Sequence, residues 1–186
     1  MDTETTTTFF ALLAILAQAA VVVAILLAVA GRFVPAIGQV RSRAAAVVAP
    51  QAVGLAAVVA LVCTLGSLYL SEVAEFVPCR LCWYQRAAMY PLVVVLPLAA
   101  VTGRRGLRIL GAALATVGGA VSIFHILVER YPSLESSTSC DPTNPCSIVW
   151  VEHFGYLTIP TMALSGFALV LTLLAIAGST TTQEHP

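Results

Sequence analysis

Five long apolar stretches, each nearly free of charged residues, alternate with short polar connections along the chain. They cover residues 9–30, 47–70, 87–102, 109–128 and 156–178. A helix of about 20 residues is long enough to cross a hydrocarbon core of about 30 Å. Lipid offers no partners for backbone N–H and C=O groups, so a spanning segment is a helix or part of a closed barrel, and the alternating segments of a barrel are absent. The pattern therefore predicts an all-α, polytopic membrane protein.

The first and third stretches differ from the other three. Residues 9–30 lie where a signal peptide would, but the apolar run exceeds the roughly 7–15 residues of a signal sequence and its flank is acidic. We therefore interpret it as a membrane span. The third stretch is short and contains Pro91 and Pro97, which predicts a kinked helix whose first turn, at residues 82–86, already lies at the membrane surface.

Arginines are concentrated in the first and third connections. They are Arg32, Arg41, Arg43, Arg104, Arg105 and Arg108. By the positive-inside rule, both connections face the cytoplasm. We therefore expect a multi-pass protein of the cytoplasmic membrane whose N-terminus and connections 71–86 and 129–155 lie outside, with the C-terminal tail in the cytoplasm. All acidic residues except Glu184 then face outward, although the rule counts only basic residues.

The composition excludes two broad classes of function. Charged residues make up only 10% of the 186 residues, whereas a soluble domain carries about 25%, so a soluble enzyme is not expected. The net charge is zero, which removes the basic field on which nucleic-acid binding depends. We expect membrane lipid as a partner and no nucleic acid.

Four of the five cysteines lie in the two outward connections, and only Cys63 lies within a span. Disulfides form and persist outside the cytoplasm. Cys79 and Cys82 form a Cys-x-x-Cys motif at the start of an apolar helix, where the helix dipole and unpaired N–H groups favour a thiolate. Arg80 and Arg86 add positive charge nearby, and Arg86 follows Cys82 by four residues, one helical turn deeper.

Two other interpretations of the cysteines remain open on spacing alone. Four thiolates could hold a structural zinc ion, although the five-residue gap between Cys140 and Cys146 is wider than the usual zinc-ribbon spacing. Alternatively, Cys140 and Cys146 could form a static structural disulfide. Redox chemistry is favoured over zinc, because the neighbouring arginines would repel a metal cation, and no metal is expected.

Two sequence blocks carry a resemblance to a known family. The first is residues 78–91, PCRLCWYQRAAMYP, and the second consists of His125, residues 131–133 (YPS), Cys140, Cys146 and residues 154–160 (FGYLTIP). In this order they closely resemble the DsbB/BdbC family of membrane disulfide-forming quinone reductases. The resemblance covers roughly residues 55–175.

The resemblance implies a DsbB-type four-helix transmembrane domain at residues 47–178. Residues 1–46 would add an extra N-terminal helix and a cytoplasmic connection, and residues 179–186 a cytoplasmic tail. The implied function is a thiol:quinone oxidoreductase that reoxidises an extracytoplasmic thioredoxin-fold, DsbA/BdbD-like thiol oxidase and passes two electrons to a membrane quinone, either ubiquinone or menaquinone.

The resemblance also assigns roles to individual residues. Cys140 and Cys146 would form the disulfide that the partner attacks, and their dithiol would then reduce the Cys79–Cys82 disulfide. Cys82 would pass electrons to the quinone. Arg86 and His125 match the quinone-proximal residues of the family.

Two departures from the family pattern and two rival functions remain. The chain has an additional N-terminal span, and the short gap between Cys140 and Cys146 is similar to the compact branch of the family. A relay similar to that of vitamin K epoxide reductase is one alternative, although its quinone-facing motif belongs near the end of the last core helix. The other is a non-enzymatic membrane scaffold stapled by disulfides or zinc.

Overall fold

The computed structural model describes residues 3–138 and 140–181. Within these ranges the helices are α1 (Thr3–Ala30), α2 (Pro35–Val48), α3 (Ala52–Glu72), α4 (Arg80–Met89), α5 (Leu92–Thr102), α6 (Arg105–Arg130) and α7 (Ile159–Thr181). Short 3₁₀ turns cover Ala49–Gln51 and Pro132–Ser137, and β1 (Glu152–His153) pairs antiparallel with β2 (Leu157–Thr158).

In the described part of the chain, five helical segments are long and apolar enough to cross a membrane: α1, α2 with α3, α4 with α5, α6, and α7. The predicted all-α, multi-pass architecture is thereby confirmed. Helix α7 continues through residues 179–181 of the predicted tail, and the rest of that tail lies outside the described residues.

The first connection is helical over most of its length. Pro35 occupies the first turn of α2, where its missing N–H is not needed by the helix. The helix then runs through Arg41 and Arg43 to Val48, and a 3₁₀ turn containing Pro50 leads directly into α3. Arg41 and Arg43 therefore lie on a helix at the start of the second span, whereas Arg32 lies in the turn before it.

The third span is interrupted at Pro91 and consists of the two helices α4 and α5. Helix α4 ends where the Tyr90 N–H donates to the Arg86 carbonyl, and α5 begins where the N–H groups of Val94 and Val95 donate to the Pro91 carbonyl. Pro91 has no N–H of its own, so it interrupts the hydrogen-bond ladder at this point. Pro97, in contrast, lies within α5 without ending it.

The core lies where α3, α5, α6 and α7 meet, and small residues allow these helices to approach closely. Ala52, Ala56 and Ala60 place one fully buried alanine per turn on α3. On α6, a Cβ atom at Gly118 would lie 2.2 Å from the ring of Phe167. Gly118 therefore allows a close contact between α6 and α7, as is usual for membrane bundles.

Contacts between distant segments define the two ends of the bundle. Near the start of α1, the Thr7 hydroxyl lies 3.1 Å from Nε2 of His153 in the β-hairpin. At the other end, Nη1 of Arg108 donates to the Ala177 carbonyl at 3.5 Å. The start of α1 and both cysteine-bearing connections therefore share one end, and the arginine-rich connections share the other.

Candidate redox site

The Cys-x-x-Cys motif is positioned by the first turn of α4. Cys79 has extended backbone angles and caps the helix, because its Sγ accepts a hydrogen bond from the Cys82 N–H at 3.2 Å. The two Sγ atoms lie 2.7 Å apart, although both cysteines are free thiols. The start of the helix thus holds the two sulfur atoms within bonding reach of each other.

The surroundings of Cys79 favour its thiolate. The hydrogen bond from the Cys82 thiol lowers the pKa of Cys79, and the hydrogen bond and positive charge that His125 can supply lower it further. Burial of Cys79 acts in the opposite direction but does not prevail. A thiolate is the form that attacks a disulfide, so Cys79 is suited to exchange chemistry.

The second pair is a disulfide whose adjoining backbone is hydrogen-bonded to a carboxylate. Cys140 and Cys146 are joined with their Cα atoms 6.0 Å apart, an ordinary separation for a disulfide. The Glu135 carboxylate accepts hydrogen bonds from the Cys146 N–H, from the Ser147 N–H at 3.3 Å and from the Ser147 hydroxyl at 2.7 Å. Glu135 therefore fixes the backbone that follows the disulfide.

The two cysteine pairs meet in one buried cluster. Cys79, Leu81, Val128 and Cys146 are packed together, with Cys82, Cys140 and Val121 around them. A hydrogen bond of 3.2 Å from the Asn144 side chain to the Pro78 carbonyl joins the two connections directly. The structure therefore brings all four predicted cysteines to one place.

His125 lies between the two pairs. Its Nε2 is 3.6 Å from the Cys79 Sγ and 3.1 Å from the Cys146 carbonyl oxygen. A carbonyl oxygen only accepts hydrogen bonds, so the shorter contact requires a hydrogen on Nε2. Nδ1 is buried without a partner among the described residues. The carboxylate of Glu129, four residues along α6, accepts a hydrogen bond from the Thr158 hydroxyl and makes none to this ring.

A largely apolar cavity of about 430 Å³ lies next to this cluster, between α1, α3, α4 and α7. Cys82 and Arg86 both line it, whereas His125 does not. Besides the thiols of Cys63 and Cys82, the side chains in its lining that can form hydrogen bonds are Ser67, Gln85, Arg86, Tyr90 and Trp150. Phe76 and Trp150 stack with ring centroids 5.3 Å apart at its outer end. The cavity size and apolar lining are typical of a small-molecule site.

Arg86 is held from two sides at the wall of the cavity. Its Nη2 donates to the Ser67 carbonyl at 2.9 Å, and its guanidinium carbon lies 5.2 Å from the centre of the Trp83 ring. Such a contact is a cation–π interaction. These contacts use one face and one N–H of the guanidinium, and they leave further N–H donors for a ligand.

Sequence reasoning missed several polar residues around the cavity. Gln85 is buried and donates to the Ser122 hydroxyl at 3.1 Å, and the Tyr90 hydroxyl donates to Ser67 at 3.3 Å. Gln85 and Tyr90 both lie within the block 78–91, so a polar residue in an otherwise apolar helix was the available signal. Ser67 carried no such signal, because serine is common in membrane helices.

The cysteines do not form one four-thiolate metal site among the described residues. Two separate groups of potential metal ligands occur instead: Cys79 with Cys82 and His125, and Glu135 with Cys140 and Cys146. Cys140 and Cys146 are tied up in their disulfide. Only the first group presents free thiols and an imidazole that could bind a metal together.

Comparisons with known proteins match most of this region. The family model described as disulfide bond formation protein DsbB matches residues 49–177. Disulfide bond formation protein C of Bacillus subtilis is 40% identical over 119 residues, which cover 64% of this chain and 86% of that protein. A probable disulfide formation protein of Deinococcus radiodurans is 41% identical over 131 residues, covering 65% and 84% of the two chains.

No solved structure gives a significant match to the chain. The family match nevertheless spans well over half of the residues and includes both cysteine pairs, Arg86 and His125. The chain belongs to the DsbB family of membrane disulfide-forming oxidoreductases.

Proposed function

We propose that this chain is a thiol:quinone oxidoreductase, which takes two electrons from an extracytoplasmic thioredoxin-fold dithiol and delivers them to ubiquinone or menaquinone in the membrane. One observation carries the proposal. Cys82 lines an apolar cavity next to Arg86, while its partner Cys79 is packed against the second cysteine pair. The two cysteine pairs thus connect a water-facing loop to a cavity among membrane helices.

In this proposal Cys140 and Cys146, called the outer pair, receive the electrons from the partner. A thiolate of the partner attacks the Cys140–Cys146 disulfide at Cys140, which breaks that bond and forms a mixed disulfide with Cys146 as the leaving thiolate. The partner's second thiolate then attacks the mixed disulfide, so that the partner leaves oxidised. Cys140 and Cys146 remain as a dithiol that holds the two electrons.

Cys79 and Cys82, called the inner pair, then take up these two electrons. When Cys79 and Cys82 are joined in a disulfide, attack by one thiolate of the outer pair breaks that bond and forms a disulfide between the two pairs. Attack by the second outer thiolate on its own pair's sulfur then breaks this disulfide, restores Cys140–Cys146 and releases the second inner thiolate. Cys79 and Cys82 are left as a dithiol. The Nε2–H of His125, 3.6 Å from the Cys79 Sγ, stabilises negative charge on that sulfur and can exchange a proton with it. We therefore place His125 at Cys79, whereas its expected contact with quinone stays a prediction.

The cavity fits a quinone, because its lining is largely apolar and its polar groups are few. Arg86 has N–H donors to spare for a quinone carbonyl oxygen, and Gln85 is buried on the same helix. When bound, a quinone supplies the acceptor for two electrons and two protons. Arg86 would stabilise the negative charge that develops on the bound oxygen.

The decisive experiment mixes the purified protein with a reduced thioredoxin-fold dithiol and a short-chain quinone, and follows quinone absorbance. We expect catalytic quinone reduction that is lost in Cys79→Ser, Cys82→Ser, Cys140→Ser and Cys146→Ser. Cys63→Ala is the control, because Cys63 lines the cavity and packs at the position of Gly166 but belongs to neither cysteine pair, and it should retain the thiol relay. Loss of turnover in Cys63→Ala with retention in the other four variants would refute the assignment.

Arg86→Ala separates quinone use from thiol exchange. We expect a higher KM for quinone, because a donor to its carbonyl oxygen is removed, while oxidation of the partner in a single turnover is preserved. The single turnover is measured by trapping free thiols with a maleimide. An unchanged KM would show that Arg86 only anchors the helix.

A metal site is the one rival that a specific contact favours, because the ligand atoms of Cys79, Cys82 and His125 lie within 4.8 Å of one another. Metal analysis of the purified protein tests it directly. Stoichiometric zinc, together with absence of quinone reduction, would replace the redox proposal with a metal-stapled scaffold.

A further inference from the structure

Helix α1 lies outside residues 49–177, the region that matches the family, yet it borders the cavity. Five of its residues line the cavity wall: Phe10, Leu13, Ala14, Leu16 and Ala17. The matched region supplies the α3, α4 and α7 sides of the same cavity. Without α1, the cavity would open toward lipid on this side.

The half of α1 that borders the cavity is the half that packs against the bundle. Ala11 is fully buried and Ala14 is 6% exposed, whereas Leu26 farther along the helix is 60% exposed. The Phe10 ring covers Gly66 of α3, where a Cβ atom would lie 2.9 Å from it. The outer half of α1 is therefore a fitted part of the bundle rather than a loosely attached anchor.

Polar contacts within the apolar region hold α1 in this place. The Gln18 side chain donates to the Ser165 hydroxyl and accepts from the Tyr156 hydroxyl, each at 2.9 Å. A carboxamide in hydrocarbon needs such partners, since lipid offers none. Together with the contact between Thr7 and His153, these bonds fix both the depth and the rotation of α1 against α7.

We propose that α1 is a structural wall of the quinone site, and that Leu13 and Ala17 contact the bound quinone and set its affinity. This inference rests on the proposed function, because it names the site as the quinone site. The fixed rotation of α1 presents these side chains to the cavity, and apolar contact at a small-molecule site contributes directly to affinity. Helix α1 thus supplies a specificity element that residues 49–177 do not contain.

The kinetic test compares two equal substitutions on opposite faces of α1. Ala17 lines the cavity, whereas Ala19 is exposed and lies about 200° around the helix from it. We expect Ala17→Phe to raise the KM for a short-chain ubiquinone, and separately for menadione, by about tenfold, because the ring occupies the site. Partner oxidation in a single turnover should be unchanged. Ala19→Phe should have the KM of the unsubstituted protein, and equal KM values for two folded variants would overturn the proposal.

A second measurement needs no substitution and does not depend on turnover. Arg32 is the first basic residue of the chain, so trypsin releases all of α1 in the peptide 1–32. An azido-substituted short-chain quinone, activated by light, should label this peptide, and excess unlabelled quinone should prevent the labelling. Labelling confined to other peptides would overturn the proposal, and this measurement decides alone if Ala17→Phe fails to fold.

The two experiments distinguish failure of the proposed quinone reduction from failure of the proposed role of α1. Quinone reduction by the unsubstituted protein with equal KM values for both phenylalanine variants would sink only the role of α1. Competable labelling of peptide 1–32 without any quinone reduction would sink the reaction and leave α1 as a wall of a quinone-binding site.

Discussion

In the proposed relay, Cys79 serves both the fold and the chemistry of this protein. Its sulfur accepts the Cys82 N–H at the start of α4, the position at which a serine or aspartate oxygen commonly caps a helix. Negative charge is favoured at this end of a helix. The geometry that begins α4 is therefore the geometry that stabilises the Cys79 thiolate.

The role of His125 at this sulfur leads to a prediction about pH. Since the hydrogen bonds from Cys82 and His125 lower the pKa of Cys79, alkylation of Cys79 should persist below the ordinary thiol range of about 8.5. It should be lost only as pH falls through the lowered pKa. His125→Phe removes one donor, so the pH of half-maximal alkylation should rise, as measured by mass spectrometry of peptides alkylated with iodoacetamide.

His153→Phe is the matched control for this titration, because His153 contacts Thr7 rather than a cysteine. It should leave the alkylation curve in place. Identical curves for His125→Phe and the unsubstituted protein would mean that His125 does not act on Cys79.

At the scale of elements, the contact between α6 and α7 depends on one missing side chain. Phe167 is 1% exposed, and its ring lies where a Cβ atom of residue 118 would be. At Gly119, in contrast, the nearest heavy atom to an added Cβ is 3.8 Å away, an ordinary contact. Two adjacent glycines on α6 thus have opposite tolerance for a methyl group.

Gly118→Ala should therefore lower the thermal unfolding midpoint of the protein in detergent, with a destabilisation of about 1–3 kcal/mol, because the added methyl group overpacks the core. Gly119→Ala should have a midpoint close to that of the unsubstituted protein. Adding Phe167→Leu to Gly118→Ala should recover part of the loss, since the smaller side chain makes room. Equal midpoints for the two alanine variants would contradict this account of the interface.

At the scale of the whole molecule, one end of the bundle carries the cysteine connections and the start of α1, and the other carries the arginine-rich connections. The proposed relay joins a partner in water to a quinone in lipid, so it needs one cysteine pair near the water-facing end and the other beside the cavity. In the proposed relay, Cys82 at the cavity comes after the Cys140–Cys146 disulfide in the path of the electrons.

The orientation itself is a prediction from the positive-inside rule. Single cysteines at Glu4→Cys and Ser133→Cys, in a chain whose native cysteines are replaced by serine, should react with an impermeant maleimide on intact cells. Ser42→Cys should react only after the membrane is permeabilised, since Ser42 lies between Arg41 and Arg43. Reaction at positions 4 and 133 from different sides of the membrane would rule out the shared outer end.

Much of this architecture follows from local sequence, because each feature depends on residues close together in the chain. Apolar length determines a membrane span, and a missing N–H makes Pro91 a break. The four cysteines and Arg86 could likewise be singled out from their spacing and their family resemblance. The helical form of the first connection was not predicted, since its arginines indicated only on which side of the membrane the connection lies.

The sequence by itself determined the helical, membrane-spanning class of this protein and which cysteines lie in the two pairs, because hydropathy and motif spacing are local properties. Only the tertiary structure decided that His125 lies at Cys79 and that α1 closes the cavity beside Cys82. Both depend on the depth and rotation at which helices pack. Those are set by contacts between residues far apart in the chain, such as Gln18 with Ser165.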